Sequence, residues 1–210
     1  MNRILTICAF LALAAIQSAV AADVPAGAYK LDKAHASLIF RVNHLGFSHF
    51  TGRFSTFDAK LQFDPERPTA SQVDVTIEPR SLETDNAPAG FLDALRGKAW
   101  LDSAKFPQMT FHSTQVESTG EHALRIHGDL TLHGVTRPVI LNATYNGGYA
   151  GHPMDPHARI GFSARGAFKR SEFGITYGIP EPGSTLGVSD DVEVIIETEF
   201  SGPPLAKAAK

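Results

Sequence analysis

The chain has 210 residues, 43% of them hydrophobic and 20% charged. Setting aside a leader at residues 1–22 removes one Arg and no acid, leaving 18 Lys+Arg against 22 Asp+Glu, a net charge of −4. That mild acidity argues against nucleic acid or an anionic lipid surface as partner, and Cys8, the only cysteine, excludes a disulfide scaffold.

The leader is read from "MNRILTICAFLALAAIQSAVAA": Arg3, then an apolar run, then small residues around Ala19 to Ala22. The run has the length of a secretory signal peptide rather than of a membrane span, so a cleaved signal peptide and a periplasmic location are expected. Residues 23–202 read as one domain. The end, "SGPPLAKAAK", is small, polar and Pro-bearing, and residues 203–210 are expected to form a flexible tail.

Within the domain the dominant period is two. "SLIFRVNH" comes first, with Leu38, Phe40 and Val42 on one face and His44 ending the row at what would be a mouth. "FSTFDAKLQF" sets Phe57, Ala59, Leu61 and Phe63 against Asp58, Lys60 and Gln62, and "QVDVTIE" repeats the pattern. A break follows: "APAGFLDALRGKAWL" spaces Phe91, Leu92, Leu95, Ala99 and Trp100 as a helix does, with Pro88 near its start and Gly97 able to split it. Alternation resumes through "QMTFHSTQV" (Phe111 inward), "ALRIHGDLTLH", "PVILNATY", "RIGFSARGAF" (Phe162, Ala164, Gly166 and Phe168 on one face) and "DVEVIIETEF". The expected fold is all-β: eight antiparallel strands forming a barrel or a sandwich, with a short helical segment between strands three and four. Small inward residues such as Ala59, Gly128, Ala143, Ala164 and Gly166 leave two readings open, a tapered solid core or an apolar tunnel. Trp100 sits either under the helix or at a ligand's edge.

Chemistry-bearing patterns are sparse. His35 and His44 differ by an odd number of residues and point to opposite strand faces, and "LGFS" separates His44 from His49, so no metal site is expected there. His127 and His133 fall on the polar face and read as exposed. No G-x-S-x-G occurs, and the adjacent acids (Asp190 and Asp191, Glu197 and Glu199) read as solvated strand faces. No catalytic residue and no cofactor is expected.

Taken together, "YKLDKAHASLIFRVNHLGFSHFTGRFSTFDAKLQFD", "SLETDNAPAGFLDALRGKAWLDSAKFPQMTF", "GDLTLHGVTRPVIL" and "KRSEFGI" resemble the YceI-like family of exported proteins. The resemblance runs in order from about Tyr29 to Phe200. It rests on Asp32-x-x-His35, Gly52-x-Phe54, Phe106-Pro107, Leu130 to Thr136, and Arg170-x-x-Phe173-Gly174; Ala36 stands where the family commonly has Ser. It implies an extended lipocalin-like barrel whose apolar tunnel binds a polyisoprenoid, a quinone-type or prenyl-phenol lipid, without chemistry of its own. The residues expected to line the ligand are Phe40, Val42, His44, Phe57, Trp100, Phe106, Phe111, Phe162, Ala164, Phe168 and Phe173. Asp32 with His35, the hairpin at Gly134, and Arg170 paired with a rim carboxylate read as structural. The protein is expected to be a carrier or store, a monomer or homodimer in transient contact with a membrane. An enzyme of isoprenoid or quinone metabolism would need a polar cluster inside the barrel, and a stress-related interaction protein would have a filled one.

Overall fold

The alternating segments become strands because each can bury one face, and they close on themselves. The structure, a computed structural model, describes residues 24–205; the expected leader and residues 206–210 lie outside them. In chain order the elements are β1 (Gly27–His44), β2 (Ser48–Phe54), β3 (Phe57–Phe63), β4 (Gln72–Ile77), β5 (Leu82–Glu83), α1 (Phe91–Arg96), β6 (Met109–Ser118), β7 (Ala123–Leu132), β8 (Val135–Tyr149), β9 (His157–Lys169) and β10 (Val188–Pro204). The sheet runs β10-β9-β8-β7-β6-β4-β3-β1, and β1 pairs back onto β10, with Leu38 opposite Ile196 and Val42 opposite Val192. These eight antiparallel strands are the expected barrel, closed by the pairing of β1 with β10.

Two strands were not expected. β2 pairs with the upper part of β1, from Ile39 to His44, and β5 pairs with β2. β3 takes the lower part of the same edge, from Gly27 to Lys30. Between these registers, β1 has no partner strand on that side, and the wall has a slit bridged by Lys33 Nζ and Asp58 Oδ2 at 3.0 Å. The slit opens onto about 510 Å³ of space, lined by Ser37, Thr56, Arg53 and Glu83 among others.

The β7–β8 hairpin fixes register in the way its sequence demands. Leu132 pairs with Val135, leaving His133 and Gly134 as a two-residue loop with φ of 52° and 75°. Two positive φ values give a turn whose twist suits the flanking strands, and Gly at the second position accepts it without strain. A Cβ on Gly134 would also overlap the Phe106 ring. α1 is a single short helix that ends at Gly97, whose N–H donates to the Ala94 carbonyl at 3.0 Å. It lies over the β1–β2 extension, where Phe91 meets Phe50 edge-on at 5.7 Å.

One end of the barrel is solid. Leu38, Ile77, Met109, Leu132, Phe173 and Ile175 form a buried cluster, with Trp100 and Leu101 packed on it. Arg170 organises this plug. The expected pairing with a rim carboxylate is corrected: the buried guanidinium donates to the backbone carbonyls of Ser189, Ile175, Tyr177 and Val188 at 2.8–3.0 Å. Asp190 instead accepts from the backbone N–H and hydroxyl of Ser171, both at 2.8 Å.

The expected tail is also corrected at its start. β10 continues to Pro204, which pairs with His157. The β1 partner of β10 ends at the pairing of Lys30 with Ser201, so Pro203 and Pro204 lie beyond it, where a missing N–H costs nothing on that edge.

Candidate functional site

Beyond the plug the barrel is hollow. A cavity of about 190 Å³ runs between walls contributed by all eight barrel strands. One water fills roughly 10–15 Å³ of such a cavity, so there is room for something much larger. The half-buried state of inward residues reports the same thing. Phe162, Ala164, Phe168, Val139, Leu141 and Val194 all face inward yet remain partly accessible, whereas Phe173 and Tyr29 at the two ends are 0% and 1% exposed. A tapered solid core is thereby ruled out for the middle of the barrel.

The small residues do not all make this space. A Cβ on Gly128 would overlap the Phe111 ring, and one on Gly166 would come within 2.6 Å of Leu141 Cδ2. Those glycines accommodate their neighbours instead. The room comes from the width of the ring and from Ala164 and its surroundings.

The lining is almost wholly apolar. Among the described residues its only polar members are Ser71, Gln72 and Thr198, and no ionisable side chain lines it. Thr198 Oγ1 donates to the Phe162 carbonyl at 3.3 Å. Gln72 Nε2 lies 3.4 Å from His112 Nε2, and His112 Nδ1 lies 2.6 Å from Asp74 Oδ1. Ser71 Oγ is buried and has no hydrogen-bond partner among the described residues. Such a surface disfavours water and is chemically matched to an apolar chain.

Of the eleven residues expected at the ligand, Phe57, Phe111, Phe162, Ala164 and Phe168 line the cavity. The other six do not. Phe40 and Val42 share the parity of Leu38, which does line it, but β1 runs on past the ring and that face is covered locally. Phe40 packs against Phe54 at 5.7 Å and Phe50 at 6.3 Å. Val42 is buried, and His44 is exposed at the strand's end between Ser48 and Val188. Trp100 belongs to the plug, with the Arg170 guanidinium 5.0 Å over its ring and Tyr177 at 5.5 Å. Phe106 covers the β7–β8 turn, 4.8 Å from the His133 ring. Phe173 lies behind Phe168, ring to ring at 5.3 Å, on the far side from the cavity lining.

The expected exposure of His127 and His133 is corrected to half-buried. His133 Nδ1 lies 3.2 Å from the Phe173 carbonyl, and His127 Nε2 lies 3.4 Å from Glu117. Ser71 also borders the cavity, and the sequence carries its signal: it continues the odd-numbered inward row of Val73, Val75 and Ile77.

The end opposite the plug carries the charged network. Asp32 is bonded to Arg159 and, at 3.1 Å, to His35; Arg159 also reaches Asp155 at 2.8 Å. The Arg159 hydrogen bond, with that of His35 second, lowers the Asp32 carboxyl to a pKa of about 2. Burial pushes the Tyr29 hydroxyl up to about 12, and that hydroxyl donates to the Pro25 carbonyl at 2.7 Å. Ligand atoms of Asp32, His35 and Glu199 lie within 4.8 Å of one another, but Asp32 is already engaged by Arg159.

Known proteins share this architecture. A UPF0312 protein of Yersinia pestis is 41% identical over 87% of this chain and 88% of its own length. A UPF0312 protein of an Enterobacter species is 43% identical over the same shares. The crystal structure of the YCEI protein of Campylobacter jejuni, 31% identical, superposes with a TM-score of 0.65 over 76% of this chain and 89% of that one. Two more distant structures share the fold. Burkholderia cenocepacia BcnA has a TM-score of 0.69 at 24% identity, over 80% of this chain and 98% of its own. A polyisoprenoid binding domain from Saccharophagus degradans has 0.57 at 16%, over 83% and 98%. Residues 29–200 match the YceI-like domain family, and the chain belongs to it.

Proposed function

We propose that the protein is exported to the periplasm and holds one long isoprenoid lipid, of quinone or prenyl-phenol type, inside the barrel as a carrier or store. The observation that carries this reading is the hollow, uncharged, apolar middle of a barrel whose one end is plugged. The fold shared with a structure described as a polyisoprenoid binding domain supports the ligand class.

The physical basis is shape and desolvation. Burying a methylene is worth about 0.8 kcal/mol relative to water, so ten carbons gain roughly 8 kcal/mol. In the cell the competitor is a bilayer, where the same tail is already out of water. Transfer between the two is therefore near balance, which suits a carrier that loads and unloads at a membrane. A shaped tunnel selects for a slim, branched chain because side chains in a closed ring cannot all yield at once.

Native mass spectrometry of protein recovered from its own periplasm tests this. The expected result is an isoprenoid adduct that organic extraction removes and added isoprenoid quinone restores. A folded protein that carries no lipid and takes up none would overturn the reading.

A further inference from the structure

We propose that the slit between β1 and the β2–β3 edge is the doorway of the barrel: the lipid crosses the wall there, past a flap formed by residues 32–35 of β1 and latched by the Lys33–Asp58 ion pair. The proposal rests on the lipid-holding reading above and adds to it the route by which the cavity fills and empties.

Neither end of the barrel offers that route. The plug closes one. At the other, Tyr29, Leu31, Ala158 and Ile160 are buried in one cluster and lie beyond the cavity lining. The side wall is interrupted instead. Between Leu31 and Ala36, four residues of β1 face a single residue of β10, Glu199. On its other side the same stretch falls between the registers of β2 and β3. Residues 32–35 therefore pair with no strand on either side, and such a bulge can swing outward without breaking the ladder. Asp32 anchors its start to Arg159. Lys33, Ala34 and His35 are exposed, and Lys33 to Asp58 is the only hydrogen bond or ion pair across the slit among the described residues. An ion pair between two exposed side chains is weak, so the latch opens readily.

Behind the latch, Leu38, Phe54 and Phe57 line both the slit and the cavity. The partition between the two spaces is thus made of side chains, which can turn aside, and not of paired backbone. Its outer rim is polar, with Ser37, Ser55 and Thr56, while the inner three residues are apolar and meet the tail. The wall's other interruption is stitched closed. Beyond the last β4–β6 pair, Asp74 with His112, the Val73 N–H donates to the Ser113 hydroxyl at 2.8 Å, and Gln72 Nε2 lies 3.4 Å from His112 Nε2. That seam supplies the comparison for a test.

Cys8 is the only cysteine, so residues 23–210 offer no thiol of their own. Two double variants, Lys33→Cys with Asp58→Cys and Gln72→Cys with His112→Cys, are each bridged by a bismaleimide whose spacer contains a reducible disulfide. Mass spectrometry identifies the linked molecules, and thermal unfolding shows that they are folded. The probe is an isoprenoid quinone delivered from phosphatidylcholine vesicles. Linking K33C to D58C is expected to slow uptake at least about tenfold, because passage through a gate follows the population of its open state. Release from preloaded protein should slow by the same factor, leaving affinity unchanged, and reduction of the spacer should restore both rates. Linking Q72C to H112C should leave the rates at their unlinked values. A linked slit that fills as fast as the unlinked one, a slowing that survives reduction, or equal slowing by both links would overturn the doorway while leaving the tunnel intact. A parent protein that takes up no quinone would instead remove the lipid-holding reading on which the proposal stands.

Discussion

The plugged end and the hollow middle of this barrel are made from the same kinds of residue and behave oppositely. In the plug, Phe173 has no exposed surface, because Phe168, Trp100 and the turn held by Arg170 close around it. Eleven residues earlier in the chain, Phe162 faces the same interior and stays half-open. The difference lies in what is brought across the barrel from elsewhere. Residues 91–106 and 170–177 fold over one end, and no such segments fill the middle. Strand alternation decides which side chains point inward, and the connecting segments decide whether the interior is full.

Removing the organiser of the plug should have the largest effect. Arg170→Ala leaves four carbonyls without their donor and a hole under Trp100, and is expected to cost about 4 kcal/mol or more in urea unfolding. Residues 175–188 should become the first site of proteolytic cutting. Arg170→Lys should recover only part of this, since an ammonium cannot reach carbonyls spread around a planar fork. An R170A protein as stable as the parent would mean the plug does not depend on this residue.

A matched pair of truncations measures the contrast directly. Phe173→Ala is expected to cost about 4 kcal/mol, as for a ring in a packed core, and Phe162→Ala no more than about 2, because its ring already borders empty space. Equal costs would show that the middle is as filled as the plug. Enlargement probes the same point from the other side. Ala164→Trp has room to enter and should lower stability by less than about 1.5 kcal/mol, while abolishing uptake of isoprenoid quinone. A loss of several kcal/mol there would mean the cavity is not real.

Much of this was legible in the sequence, for a definite reason. Each of the eight barrel strands buries one face, so apolar and polar residues alternate along it, and β3 shows the pattern without exception from Asp58 to Phe63. β2 escaped because its inward row reads Phe50, Gly52, Phe54: the glycine is needed where the Phe40 ring comes within 2.6 Å of a Cβ, and it erases the signal. β5, with two residues, carries no period at all. Within the candidate site, inward parity identified Phe57, Phe111, Phe162, Ala164 and Phe168 as lining the cavity, because parity is local. Parity did not place Phe40, Val42 and His44, whose row is covered by β2 or ends at the strand's exposed end. Trp100, Phe106 and Phe173 lie outside regular strands, where parity says nothing and distant segments set the surroundings. Gly128 misled for a related reason. A small residue in a sequence signals closeness to something, and only the fold shows whether that is a neighbour's ring or a ligand.

The smallest effect separates the two ends by acid. Arg170 holds the plug through carbonyls, which do not titrate across the acid range. Arg159, at the other end, holds β9 to β1 through Asp32, and Asp155 through its own carboxylate. Asp32 has a folded pKa of about 2, set first by Arg159 and then by His35, against about 3.9 for an unfolded aspartate. A carboxyl whose pKa is depressed on folding contributes stability above the unfolded value and loses it as pH falls through the folded one. The window is therefore pH 4 down to pH 2. Asp155 is also lowered, first by the Tyr149 hydroxyl at 2.8 Å and then by Arg159, so its contribution has the same sign. The Asp32 side chain keeps 18% of its surface exposed, so solvent screening limits its share to about 1 kcal/mol. Urea unfolding at pH 5 and pH 3 should show the parent losing about 0.5 kcal/mol more than Asp32→Asn over that interval, since pH 3 lies midway through the window. Trp100 emission without urea should stay constant across it, since the indole reports the plug. An Asn variant that is as acid-sensitive as the parent would remove Asp32 from the account. A Trp100 shift in parallel with the loss would show that the two ends open together rather than independently.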